Sequence, residues 1–295
     1  MTDQEAVDAF HRVYYTSERT IYNTHWLGVD AQKYPTDLWV YQEIIFELRP
    51  DFIVETGTYW GGSALFLASI CELIGHGQVI TIDVRPIAES PTTCPAHPRI
   101  TYVEGSSIAP RVVEQVRGAI GDAATVMVIL DSDHGSEHVV NELKVWADVV
   151  TDGSYLIVED SNVNGHPVYP EFGPGPMEAM ELFLTTNADF AADRSREKFL
   201  LTANPMGFLK KTRGGAVEAR LLAAEEELGG LRAERAQLAG LRQELDGLRK
   251  ERVELDGLRG EVTALRDELA ALRGSHSWRV TAPVRAVVDT LRGAK

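Results

Sequence analysis

Short apolar runs recur between Asp51 and Glu159 at near-regular intervals, most of them ending on an acid. DFIVET, GQVITIDV, ITYVE, TVMVILD and SYLIVE predict strands at about 51–56, 78–84, 100–104, 125–131 and 154–159. Apolar residues at helical spacing between them predict helices at about 62–74, 109–118 and 136–149. This alternation predicts an α/β fold, a Rossmann-like, doubly wound, mostly parallel sheet with ligands at the carboxyl ends of its strands.

The flanks carry different patterns. Residues 1–50 read as a helical lead-in, with Asp37 to Pro50 its clearest amphipathic segment; Asp37 is the expected cap and Pro50 the stop. After the fifth strand, PVYPEFGPGP predicts a loop and a helix follows from about Met177. Phe199 to Lys211 predicts a closing hairpin with its turn at Asn204–Gly207. Beyond Thr212 the chain becomes Leu, Ala, Glu and Arg, with no proline or aromatic residue from Ala216 to Arg273. Leucines fall mostly three and four residues apart, a coiled-coil signature that predicts self-association through residues 216–273. The phrase x-x-Leu-Arg recurs at intervals of 10, 7, 10, 7 and 7 residues, and each ten is a heptad plus three that overwinds the supercoil. The expected organisation is a lead-in over 1–50, an α/β domain over 51–212, a coiled coil over 213–274 and a short basic amphipathic tail over 275–295. Trp278, Arg279, Arg285 and Arg292 make peripheral membrane contact of residues 276–295 one reading of that tail, and docking to a protein another.

Charge narrows the partners. The 295-residue chain carries net charge −15, with −17 in residues 1–210 and +2 in the remainder. So acidic a globular part argues against nucleic acid. Two cysteines, Cys71 and Cys94, indicate no disulfide framework, and no leader-like N-terminus or apolar run of spanning length is evident. A cytoplasmic protein is expected, with the inner membrane face as a peripheral site.

The run DFIVETGTYWGGS holds the candidate cofactor site. A strand ends at Glu55, and a turn containing Gly57 and Gly61 lets the backbone approach a ligand closely. The next strand ends on Asp83, placed for ribose hydroxyls. The spacing is E-x-G-x-x-x-G, and a carboxylate at Glu55 would repel phosphate. That favours S-adenosylmethionine (SAM), which has an ammonium, a sulfonium and no phosphate. The candidate cofactor residues are Glu55, Gly57, Thr58, Gly61, Ser63, Asp83, Ser106, Ser107 and Asp131.

Two further strand ends gather acids: Asp131 after the fourth strand, Glu159 and Asp160 after the fifth. Three converging carboxylates call for a cation, and oxygen donors without thiolates suit Mg²⁺, Mn²⁺ or Ca²⁺ rather than zinc. His134, three residues past Asp131, is the candidate catalytic base. A set of Asp131, His134 and His138 would instead imitate a two-histidine, one-carboxylate iron site.

The segments THWLGVDAQKYPTDLWVYQEIIFELRPDFIVETGTYWGGSALF, VEGSS, LDSDHGSEHV and GSYLIVEDS resemble the cephalosporin hydroxylase/rhamnosyl O-methyltransferase family over about residues 20–211. The resemblance implies a class I methyltransferase sheet and a SAM- and Mg²⁺-dependent O-methyltransferase acting on a sugar-containing acceptor. It also implies Asp131, Glu159 and Asp160 as metal ligands, His134 as general base, Glu55, Gly57 and Asp83 on the cofactor motif and Ser106–Ser107 beside the adenine. An iron-dependent hydroxylase and a non-catalytic coiled-coil scaffold stand as alternatives.

Overall fold

The computed structural model describes residues 2–17, 19–85, 94–122, 125–212 and 216–292. The junction expected at 213–215 and the last three residues of the basic tail lie outside the described residues. Two compact units emerge, Met1–Leu222 and Ala223–Lys295.

The first unit opens with α1 (Asp3–Thr16), capped by Thr2, and a small hairpin of β1 (His25–Trp26) and β2 (Val29–Asp30). There follow α2 (Pro35–Leu48), β3 (Phe52–Thr56), α3 (Gly62–Leu73), β4 (Gln78–Asp83), β5 (Ile100–Glu104), α4 (Pro110–Ile120), β6 (Val126–Leu130), α5 (Ser136–Trp146), β7 (Tyr155–Val158), α6 (Pro176–Thr186), β8 (Phe190–Ala192) and β9 (Phe208–Lys211). The main sheet has the order β5-β4-β3-β6-β7-β9-β8. Pairing is parallel from β5 through β7, and the β9 and β8 edge is antiparallel.

Alternation along each strand feeds two cores. Val54, Val128 and Leu156 pack with Trp146 and Met180 from α5 and α6, while their neighbours Ile53, Ile129 and Ile157 pack with Ile44, Ile45 and Leu67 from α2 and α3. Both faces being covered explains why the strands read as continuous apolar runs. The chain winds outward from β3 in one direction and from β6 in the other, so the crevice above their carboxyl ends is the switch point where such sheets bind ligands.

Two expectations are corrected. Asp37 does not cap α2: Tyr34 holds that position, and Asp37 is buried in the first turn, where its Oδ2 accepts from the Ala203 N–H at 2.8 Å. Nor is the predicted hairpin the one formed, because β9 pairs with β8, whereas 199–203 is not a strand. Its backbone is instead drawn toward Asp37, and Asn204 toward the strand ends described below.

His11 is the buried residue of α1. Its Nε2 accepts from Asn162 Nδ2 at 3.0 Å, which requires a neutral ring. Burial, with Asp8 opposing and Arg12 assisting, pulls its pKa down from 6.5 to about 4. The unfolded chain therefore binds more protons between those values. The stability His11 contributes is fully present above pH ~6.5 and is lost as pH falls toward ~4, by about 3 kcal/mol. Urea titrations at pH 7 and 4.5 should show a steeper pH loss in the wild type than in His11→Gln; equal losses would refute this assignment.

The second unit holds most of α7 (Ala216–Gly274), followed by α8 (His276–Val280) and α9 (Ala282–Arg292). Among the described residues no helix is long and apolar enough to cross a membrane.

Candidate active site

A cavity of about 590 Å³ opens at the switch point. Of the candidate residues, Gly57, Thr58, Ser63, Asp83, Ser106, Ser107, Asp131, His134 and Asp160 line it, whereas Glu55, Gly61 and Glu159 do not. The β3–α3 turn supplies its floor. Gly57, at φ +89°, lies so near the end of β6 that a Cβ there would stand 1.9 Å from the Asp131 carbonyl oxygen. Gly62 starts α3 almost as tightly, with a would-be Cβ 2.2 Å from the Asp30 carbonyl oxygen.

Glu55 lies beneath that turn, fully buried. Its Oε2 accepts from Thr81 Oγ1 at 2.7 Å, and Thr81 meets Thr58 Oγ1 at 2.7 Å. Burial drives the Glu55 pKa up to about 7, against the opposing pull of Lys33 and hydrogen bonds from Ser63 and Thr81. Glu55 Oε1 has no hydrogen-bond partner, nor does Asp30 Oδ1 at the cavity wall. The orphaned Asp30 oxygen, at the wall of a cavity floored by a glycine turn, fits a ligand that brings a cationic or donor group. Asp83 closes the far side, its oxygens accepting from the Tyr59 and Arg85 N–H groups, each at 2.9 Å. Arg85 also stacks 4.8 Å from the Tyr59 ring centroid.

The acids sort into two groups. Asp131, His134 and Asp160 offer ligand atoms all within 4.8 Å of one another, and His134 Nε2 lies 3.1 Å from Asp160 Oδ2. This donor set fits a hard divalent cation. Asp160 takes φ +53°, a strained setting for a non-glycine residue, fixed by its N–H donating to Asn204 Oδ1 at 3.1 Å. Glu159 turns the other way. Its Oε1 accepts from Tyr41 OH at 2.8 Å and its Oε2 from Lys33 Nζ at 2.5 Å, and Lys33 also bonds Asp131. Asn204 Nδ2 in turn donates to Tyr41 OH at 2.9 Å, so one asparagine holds the backbone of Asp160 and the anchor of Glu159.

Burial raises the pKa of Asp131 and of Glu159, while Lys33 acts against that rise in both. Burial also disfavours charge on His134, but Asp160 and Asp131 outweigh it and hold its pKa above the ordinary value. His138, the other histidine of the iron reading, turns from this group: its Nε2 lies 3.1 Å from Ser132 Oγ, 3.3 Å from Ser107 Oγ and 3.5 Å from Glu142.

Residues 18–212 match the profile of the family described as rhamnosyl O-methyltransferase/CmcI. A rhamnosyl O-methyltransferase of Mycobacterium tuberculosis H37Rv is 40% identical over 206 residues, which covers 68% of this chain and 83% of that protein. The Mycobacterium leprae rhamnosyl O-methyltransferase is 39% identical over 207 residues, 68% and 89% of the two chains. Among solved structures, apo CmcI superposes with a TM-score of 0.51 at 25% identity, over 65% of this chain and 77% of that one. CmcI with Mg and SAM gives 0.51 at 24% identity, over 65% and 78%.

Proposed function

The chain belongs to the rhamnosyl O-methyltransferase/CmcI family, and from that premise we propose that it is a SAM-dependent, divalent-metal-dependent O-methyltransferase acting on a sugar hydroxyl, with a rhamnose-bearing acceptor the first to test. The observation that carries this reading is the convergence of Asp131, His134 and Asp160 on the cavity that the glycine turn floors.

When bound, SAM supplies a sulfonium methyl group, and Mg²⁺ lowers the pKa of an acceptor hydroxyl. The turn at Gly57 and Gly62, with Asp30, Asp83 and Ser106–Ser107, forms the cradle for the nucleoside and amino-acid ends. Asp131 and Asp160 would hold the cation, with Glu159, bound to Lys33 and Tyr41, as the third acid beside it. His134 would accept the hydroxyl proton on the imidazole nitrogen that does not face Asp160, as the methyl group passes from sulfur to the acceptor oxygen. Asp160 sets the ring's direction, and Asn204 sets Asp160.

A base must be neutral to accept a proton, so the rate should climb as pH rises through the raised pKa of His134. Transfer of labelled methyl from SAM to a rhamnose-bearing glycolipid, with Mg²⁺ and with EDTA, tests the proposal. His134→Ala should cost at least ~10²-fold in kcat while SAM affinity, read by calorimetry, changes little. Absence of SAM binding under every metal condition would sink it. Wild-type turnover in His134→Ala would remove the assigned base.

A further inference from the structure

The leucine stripe of α7 stands open. From Leu228 to Leu272 its leucines and Val262 are 48–63% exposed. We propose that residues 228–273 form a parallel, in-register, two-stranded coiled coil with a second copy of this chain, its direction set by the charges that flank the stripe.

The stripe's period excludes a flat docking surface. Leucine pairs begin at 228, 238, 245, 255, 262 (a valine) and 269, so ten- and seven-residue steps alternate over the first four intervals. Seventeen residues per five turns is about 3.4 per turn, below the 3.6 of a straight helix, so the apolar line wraps around α7. Only a partner that winds with it, left-handed and tightly, stays in contact throughout.

The apolar line does not choose a direction, because it is nearly symmetric about its midpoint. Reversed, Leu238 would face Leu265, Leu245 would face Leu258 and Leu248 would face Leu255. The charges do choose. An arginine follows the second leucine of each pair, and a glutamate precedes most pairs. In a parallel pair a residue just before one apolar position lies beside the partner residue five places on. This joins Glu244 to Arg249, Glu254 to Arg259, Glu261 to Arg266 and Glu268 to Arg273, each twice by symmetry. The antiparallel pair instead sets Glu244 beside Glu261 and Arg242 beside Arg259. Within one copy, among the described residues, Arg249 and Arg259 bond the exposed Asp246 and Asp256, at 3.1 and 3.4 Å.

Light scattering on the full chain should give twice the 32.5 kDa protomer mass. Leu265→Cys and Leu238→Cys should each cross-link to themselves under oxidised glutathione, with the buried Cys71 and Cys94 silent in a wild-type control. A dimer that cross-links only when the two variants are mixed is antiparallel and overturns the proposal; a monomeric or trimeric mass overturns it as well. Glu261→Arg with Glu268→Arg should weaken the dimer at least ~10-fold, and adding Arg266→Glu with Arg273→Glu should restore it.

Discussion

Lys33→Met should destabilise the metal-free protein by about 3–5 kcal/mol, because the substitution strands the buried Glu159 carboxylate and the half-buried Asp131 without their shared counter-charge. Lys33 is 6% exposed and bridges Asp131 and Glu159, themselves 18% and 4% exposed. The two acids raise the Lys33 pKa despite its burial, so the ammonium stays charged wherever the protein is folded. Without it, folding must keep the Glu159 anion out of water beside a half-buried Asp131, or bind a proton in place of the lysine. The expected fall in Tm is about 10 °C. The gap between variant and wild type should close as pH falls, since a protonated carboxyl needs no cation beside it. Magnesium gives the sharper reading. If the divalent ion takes the role Lys33 plays among these acids, saturating Mg²⁺ should raise the Tm of Lys33→Met more than that of the wild type. Coincident melting curves in EDTA would show that the lysine contributes nothing; equal Mg²⁺ shifts would place the ion elsewhere.

That lysine marks where the sequence stops being readable. The strands are legible because β-branched runs bounded by turns have few other uses, and Asp83, Asp131, Glu159 and Asp160 are legible because a strand delivers its last residues to the sheet's carboxyl edge. Their partners obey no such rule. Lys33 lies 98 residues from Asp131 and 126 from Glu159, and Tyr41 lies 118 from Glu159. A charge ledger was the available signal: several acids converging in a dry crevice require a cation from somewhere, though not from a stated position. The failed hairpin has the same origin. Alternation at 199–211 resembles two strands, but Ala203 and Asn204 are claimed by Asp37, Tyr41 and the backbone of Asp160. Tertiary hydrogen bonds to the site override the local pattern there.

Gly57→Ala is expected to cost more than about 4 kcal/mol, and to remove SAM and metal binding together in whatever fraction still folds. Alanine at φ +89° carries a backbone penalty of ~1–2 kcal/mol, and contact adds the rest. The new methyl would stand 1.9 Å from the Asp131 oxygen and 2.6 Å from its carbonyl carbon, both main-chain atoms with no rotamer to yield. Neither strand can slide away cheaply. The Gly57 N–H donates to the Ile82 carbonyl at 2.8 Å, and the Asp131 N–H to the Thr56 carbonyl at 3.0 Å. The methyl must therefore part β3 from β6, moving the cofactor turn and the first metal-site acid at once. Gly75→Ala separates this from ordinary glycine strain, since Gly75 has φ +68° and nothing within 4 Å of its would-be Cβ. The control should lose only the backbone penalty and bind SAM normally. A Gly57→Ala protein that melts within ~2 °C of that control, with SAM affinity intact, would mean that the turn and the acid are not mechanically joined.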